Sequence, residues 1–172
     1  SDGFVDFTRR VLSLVRDGLV MVADTRTNAG IDNVSRFSKM FIWEQPGERA
    51  IGMMCSGNLS ITQGVMTRLK QAIEASAKDA SIETILNAAS LYRVAELVGE
   101  AMQGLQDRYR DSIQAGGAGA DATILVCGQR KGGRHRLFMV YSAGNFVEAT
   151  DDTPYFQIGE HKYGNPILDS VV

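Results

Sequence analysis

The chain has 172 residues, 44% of them apolar and 22% charged, with a formal net charge of −2 and 18 glycines. That length suits one domain spanning residues 1–172 with a sizeable core, and the composition excludes a disordered or fibrous chain. The sequence carries no Lys/Arg block, so neither a nucleic-acid partner nor a membrane surface is expected, because both need concentrated positive charge.

Cys55 and Cys127 each sit inside an apolar run and read as small buried thiols rather than as a disulfide framework or metal site. No stretch approaches the roughly 18 apolar residues of a membrane span, and the opening Ser-Asp-Gly-Phe-Val-Asp-Phe lacks the basic-then-apolar order of a signal peptide. The expected compartment is the cytoplasm.

The first 56 residues read as β. Apolar runs at 11–15, 19–23, 39–43 and 49–56 are separated by Arg16-Asp17-Gly18, by a polar stretch running from Asp24 to Lys39, and by Pro46-Gly47, which predicts two hairpin-like pairs. From Ser60 the period changes. Ile61, Val65, Leu69 and Ile73 recur at steps of four, then Leu91, Ala95, Val98, Met102 and Leu105 at steps of four and three, predicting two amphipathic helices. After a break at Gly116 to Gly119, "DATILVCG" and "HRLFMVYS" flank "QRKGGR", with "NFVEA" and "YFQI" behind them. These predict a return to β, and Pro166 with the run Ile167 to Val172 starts another helix. Four strands, two helices, four strands and a helix imply two sheets with helices outside them.

Three positions carry possible chemistry. Asp24 follows the run Leu19 to Ala23, where a strand end can hold a carboxylate in fixed geometry; a turn-forming Asp beside Thr25 and Asn28 is the simpler reading. Lys39 begins a strand, where desolvation can lower a lysine's pKa, although most strand-end lysines are solvated. "CSGNLS", residues 55 to 60, is more informative, since a strand runs into Gly57 and a helix starts at once. Unpaired N–H groups at such a junction can form an oxyanion hole; equally, Gly57 is a tight turn and Ser60 an N-cap. Ser56 lies in no Gly-x-Ser-x-Gly elbow, and His135 and His161 have no evident triad or metal-ligand partners. Both histidines read as surface residues, conventional serine hydrolysis is disfavoured, and no metal or cofactor is expected.

These residues carry a resemblance. "VADTRTNAG" resembles the Asp-Ser/Thr-Arg segment after the second strand of proteasome β-type subunits. The continuation "NVSRFSKMF", the "SGN" turn, the segment "GNFVEATDDTPYFQIGEHKYGNPILD" and the ββββ-αα-ββββ order are similar to the bacterial proteasome homologues called Anbu, over about residues 17–172. The resemblance implies an α+β fold, the four-layer α-β-β-α sandwich of N-terminal-nucleophile hydrolases. It also implies an N-terminal threonine nucleophile, with Asp24 and Lys39 supporting it and the Gly57 amide donating to the oxyanion. A threonine hydroxyl is a weak nucleophile, and a free α-amine with an ordinary pKa near 8 can take its proton without any histidine.

Counting back from Asp24 without gaps puts Thr8 at the nucleophile position, behind seven residues that read as a propeptide, an added remnant or a replacement of the family's start. Aligning Ser13 with the family's small fifth residue instead puts Arg9 there, which cannot do the chemistry. Where proteasome subunits place a serine after Ile-Gly, this chain has Glu160, as Anbu-type sequences do. The family has further helix and strand beyond the position of Val172, so a C-terminally truncated second sheet is expected.

Three functions follow: a threonine peptidase acting on peptides or unfolded chains, a non-catalytic subunit of the same assembly, or an amidohydrolase of small amides. A homo-oligomer, ring or helical, is expected, with Met53, Met54, Tyr92 and Tyr155 as candidate contacts between subunits or as core residues.

Overall fold

A computed structural model of the chain describes residues 9–15, 18–23, 27–28, 34–35, 39–115, 121–150 and 155–159. The strands are β1 (Arg9–Val15), β2 (Gly18–Val22), β3 (Thr27–Asn28), β4 (Val34–Ser35), β5 (Met40–Gln45), β6 (Arg49–Gly57), β7 (Ala122–Arg130), β8 (Arg136–Tyr141), β9 (Phe146–Glu148) and β10 (Tyr155–Gly159). Two helices, α1 (Leu59–Ser76) and α2 (Leu91–Ala115), follow β6. The predicted pairs β1–β2 and β5–β6 form as antiparallel ladders. Between them lies the two-residue β3–β4 pair, which the sequence reading passed over because two-residue strands leave no periodicity to detect. The helix expected at 166–172 lies outside the described residues.

Five strands make one antiparallel sheet in the order β5-β6-β7-β8-β9, and β10-β1-β2 make a second. The central strands of the larger sheet are buried on both faces, so they read as unbroken apolar runs rather than as alternations. Along β6, Ile51, Met53 and Cys55 face the helices while Met54 faces the second sheet; along β7, Ile124 and Val126 face the helices while Leu125 and Cys127 face the second sheet. The predicted helical stripes are buried at Ile61, Val65 and Leu69 on α1 and at Leu91, Ala95, Val98, Met102 and Leu105 on α2, while Ile73, last in the α1 stripe, is partly buried against the same core. Fully burying each large aliphatic side chain contributes about 1.5–3 kcal/mol, so this helix-on-sheet core dominates the described stability.

On the opposite face the core contains Met54, Leu125, Cys127, Leu137, Phe156 and Ile158, with Leu19, Met21 and Met40 packed against it. Gly52 permits the approach of the second sheet, because a Cβ there would lie 2.5 Å from Met21 Sδ. The described residues therefore form an α+β arrangement of three layers: helices, five-stranded sheet, second sheet. Cys55 and Cys127 are buried within it and form no disulfide with each other, as expected. Met53 and Met54 are fully buried in the chain's own two cores, which removes them as contacts between subunits. Tyr92 keeps 47% of its surface exposed and packs edge-on to Phe138 and Phe146. His135 is half-buried rather than at the open surface.

Candidate active site

β6 ends in Gly57, and α1 begins two residues later. Gly57 takes φ +92°, a left-handed conformation that glycine adopts freely and that strains residues with a Cβ. Space makes the same demand, since a Cβ at Gly57 would lie 2.3 Å from the Asp121 carbonyl oxygen and 2.9 Å from Ala122 Cα.

The turn is fastened on both sides. The Asn58 amide donates to the Asp121 carbonyl at 2.8 Å, and the Asn58 side-chain oxygen accepts from the Ile61 amide at 3.2 Å. Asn58 therefore caps α1, and Ser60, the cap suggested by sequence, sits exposed in the first turn. Across the ladder, Gly57 pairs with Ala122. The Ala122 amide donates to Ser142 Oγ at 2.5 Å, and the same hydroxyl donates to the Ala122 carbonyl at 2.8 Å.

Ladder parity fixes where the Gly57 amide points. In an antiparallel strand successive amides face opposite neighbours. The Asn58 amide faces β7, so those of Cys55 and Gly57 face β5. The Cys55 amide donates to the Lys39 carbonyl at 2.9 Å. The Gly57 amide emerges on that same side, two residues or about 7 Å further along β6. Lys39, itself half-buried, and Gly57 thus lie toward the same end of the β5–β6 pair. An N–H presented there, beside the positive end of the α1 dipole, can donate to a developing oxyanion, and a lysine ammonium nearby can supply positive charge.

Of the residues singled out from sequence, Thr8, Asp24, Glu160 and His161 lie outside the described residues, as does the side chain of Tyr155. Three supporting residues escaped the sequence reading: Asn58, Asp121 and Ser142. Asn58 carried a usable signal, an Asn directly before a helical stripe. Asp121 and Ser142 act through contacts formed across the sheet, which no local pattern announces.

No protein-family model matches the chain, and no curated protein does. Solved structures do match it. Anbu (ancestral beta-subunit) from Yersinia bercovieri superposes with a TM-score of 0.84 at 40% identity, over 96% of this chain and 66% of that one. The structure described as the helical assembly of the Anbu complex from Pseudomonas aeruginosa gives a TM-score of 0.84 at 40% identity, over 95% and 65% of the two chains. Anbu from Hyphomicrobium sp. strain MC1 gives 0.74 at 39% identity, over 96% and 68%. The chain spans about two thirds of the length of these proteins.

Proposed function

Because the chain belongs to the Anbu family of proteasome-like β-subunit relatives, we propose that it is a threonine peptidase subunit that hydrolyses peptide bonds with Thr8 as nucleophile. The observation that supports this best is the Gly57 turn, whose conformation and crowding require glycine and whose amide faces the strand that Lys39 begins.

In this reading the Thr8 hydroxyl attacks the substrate carbonyl carbon once Thr8 is the first residue, and its own α-amine accepts the proton. The Gly57 amide donates to the oxyanion. The leaving amine departs with that proton, and water then hydrolyses the resulting ester, restoring the hydroxyl. A Lys39 cation lowers the pKa of the α-amine and holds the hydroxyl in place, while Asp24 fixes Lys39. While residues 1–7 precede Thr8, its nitrogen is an amide and cannot act as the base.

The same proposal covers residues 1–172 as one proteasome-β-like domain with a fourth, helical layer. Val20 and Val22, 50% and 56% exposed on the outward face of β2, are an apolar surface of the kind such a layer covers. It also covers a homo-oligomer, ring or helical, that encloses sites for peptides or unfolded chains in the cytoplasm without a cofactor. Among the described residues, no helix is long and apolar enough to cross a membrane.

A chain beginning at Thr8 should form a covalent adduct with a peptide epoxyketone, which captures hydroxyl and amine together and reports this arrangement by mass. The chain with residues 1–7 in place should not react. A trimmed chain that folds and assembles yet forms no adduct would make the protein a structural subunit of the same kind of assembly.

A further inference from the structure

At the far end of the larger sheet from Gly57, the β7–β8 hairpin and the start of α2 enclose an open groove of about 530 Å³. β7 runs nine residues from Ala122 to Arg130, eight steps that at about 3.3 Å each place its ends roughly 26 Å apart. Arg130, Lys131, Arg134 and Arg136 line the groove together with Ser90 and Leu91, and no acidic residue lines it. A fifth cation, Arg49, stands directly opposite Arg130 in the β6–β7 register. Like charges so placed repel, and burial together with Arg130 holds the Arg49 guanidinium below its ordinary pKa.

Part of this charge is already engaged. Arg49 donates to the carbonyls of Ile85 and Ala88 at 3.1 and 3.0 Å, Arg130 donates to the Ala89 carbonyl, and Arg136 clasps Glu148 at 2.6 and 2.7 Å. The Arg49 and Arg130 bonds anchor the connector before α2, and the Arg136–Glu148 pair ties β8 to β9. Lys131 and Arg134 have no such duty: they are 73% and 77% exposed and face Glu48 and Glu148 across 3.8 and 3.9 Å. Ser90 caps α2 by accepting the Arg93 amide at 3.0 Å, and the first turn carries no acid, so the positive end of that helix adds to the same field.

We infer that this groove binds a small molecule carrying two or more linked oxyanionic groups, gripped chiefly by Lys131 and Arg134. Arg49 and Arg130 face each other across the ladder, and Lys131 and Arg134 meet their carboxylates only at 3.8 and 3.9 Å, so such a ligand can recruit them. A single carboxylate needs one arginine fork, whereas this groove offers several cations and a volume within the usual range for small-molecule sites of about 300–1,000 Å³. The site does not depend on the peptidase reading.

The test is calorimetric titration of the full chain with inorganic pyrophosphate and, separately, with citrate, at low and moderate salt. Saturable one-to-one binding is expected for at least one of them, the arm that binds identifying linked phosphates or linked carboxylates, and it should be at least tenfold tighter than inorganic phosphate. The double variant K131E/R134E should lose it while keeping its melting temperature, and R108E/R110E, on α2 away from the groove, should retain it. No saturable binding in either arm, inorganic phosphate binding as tightly, or binding that survives K131E/R134E would overturn the inference.

Discussion

Replacing Gly57 by alanine tests the most demanding geometric feature of the candidate site, and Gly47 supplies its control. Gly47 has φ +76° in the Pro46-Gly47 turn, where the Glu48 amide donates to the Gln45 carbonyl at 2.9 Å, and a Cβ there would meet nothing within 4 Å. Gly47→Ala therefore carries the left-handed strain alone, about 1–2 kcal/mol. Gly57→Ala carries the same strain and also drives a Cβ to 2.3 Å from the Asp121 carbonyl oxygen. That oxygen is backbone, held by the Asn58 amide at 2.8 Å, so the strand pair itself must open, and such overpacking adds about 1–3 kcal/mol. For a domain of this size the additional loss lowers Tm by roughly 2–12 °C relative to Gly47→Ala. Urea unfolding of both variants with a common m-value measures the difference. In chains beginning at Thr8, peptide hydrolysis should fall far more for Gly57→Ala than its folded fraction does. Stabilities within about 0.5 kcal/mol of each other, near the ordinary scatter of surface substitutions, would refute the steric argument.

Lys39→Ala should abolish peptide hydrolysis, with a loss of orders of magnitude in kcat, and leave Tm nearly unchanged; a large drop in Tm with activity intact would make Lys39 structural. Asp24→Asn should lose activity similarly and cost more stability, the outcome expected of a turn-forming acid. Light scattering should give a mass several times 18.7 kDa, and a clean monomer across a concentration series would defeat the assembly reading. Burial pushes the Cys127 thiol from its ordinary 9.0 up to about 11. The unfolded chain therefore ionises first, and stability falls as pH rises from about 9 through about 11, by roughly 2–3 kcal/mol at 1.36 kcal/mol per unit. A Cys127→Ala variant should lose this alkaline slope in a pH series of unfolding curves, and an unchanged slope would reject the assignment.

The larger sheet and both helices were legible because their signals are local and dense. Leu91, Ala95, Val98, Met102 and Leu105 mark one face of α2, and Ile61, Val65 and Leu69 do the same for α1. The doubly buried strands β6 and β7 were recognisable as runs. What escaped was of two kinds. Arg130, Lys131, Arg134 and Arg136 lie within seven residues that read from sequence only as a hairpin, and the β6–β7 register adds Arg49 to them at one end of the sheet. Met53 and Met54 are adjacent in sequence and both fit a subunit contact or a core, and strand alternation sends them to opposite cores.

The candidate site was legible to a different depth, because residue types and hydrogen-bond directions are separate kinds of information. Sequence isolated Lys39 and Gly57 as strand-end positions without saying that they share one end of a strand pair. They do so because the Pro46-Gly47 turn sets the register that pairs Met40 with Met54 and Gln45 with Arg49. With that register fixed, the Lys39 carbonyl takes the Cys55 amide and the Gly57 amide is left facing the same side. A slip of one residue would turn Phe41 and Trp43 out of the helix-side core and swing the Lys39 carbonyl away from Cys55. The packing that stabilises β5 is therefore what positions Lys39, and a change to the turn at 46–47 that shifted the pairing would remove Lys39 from Gly57 without altering either residue.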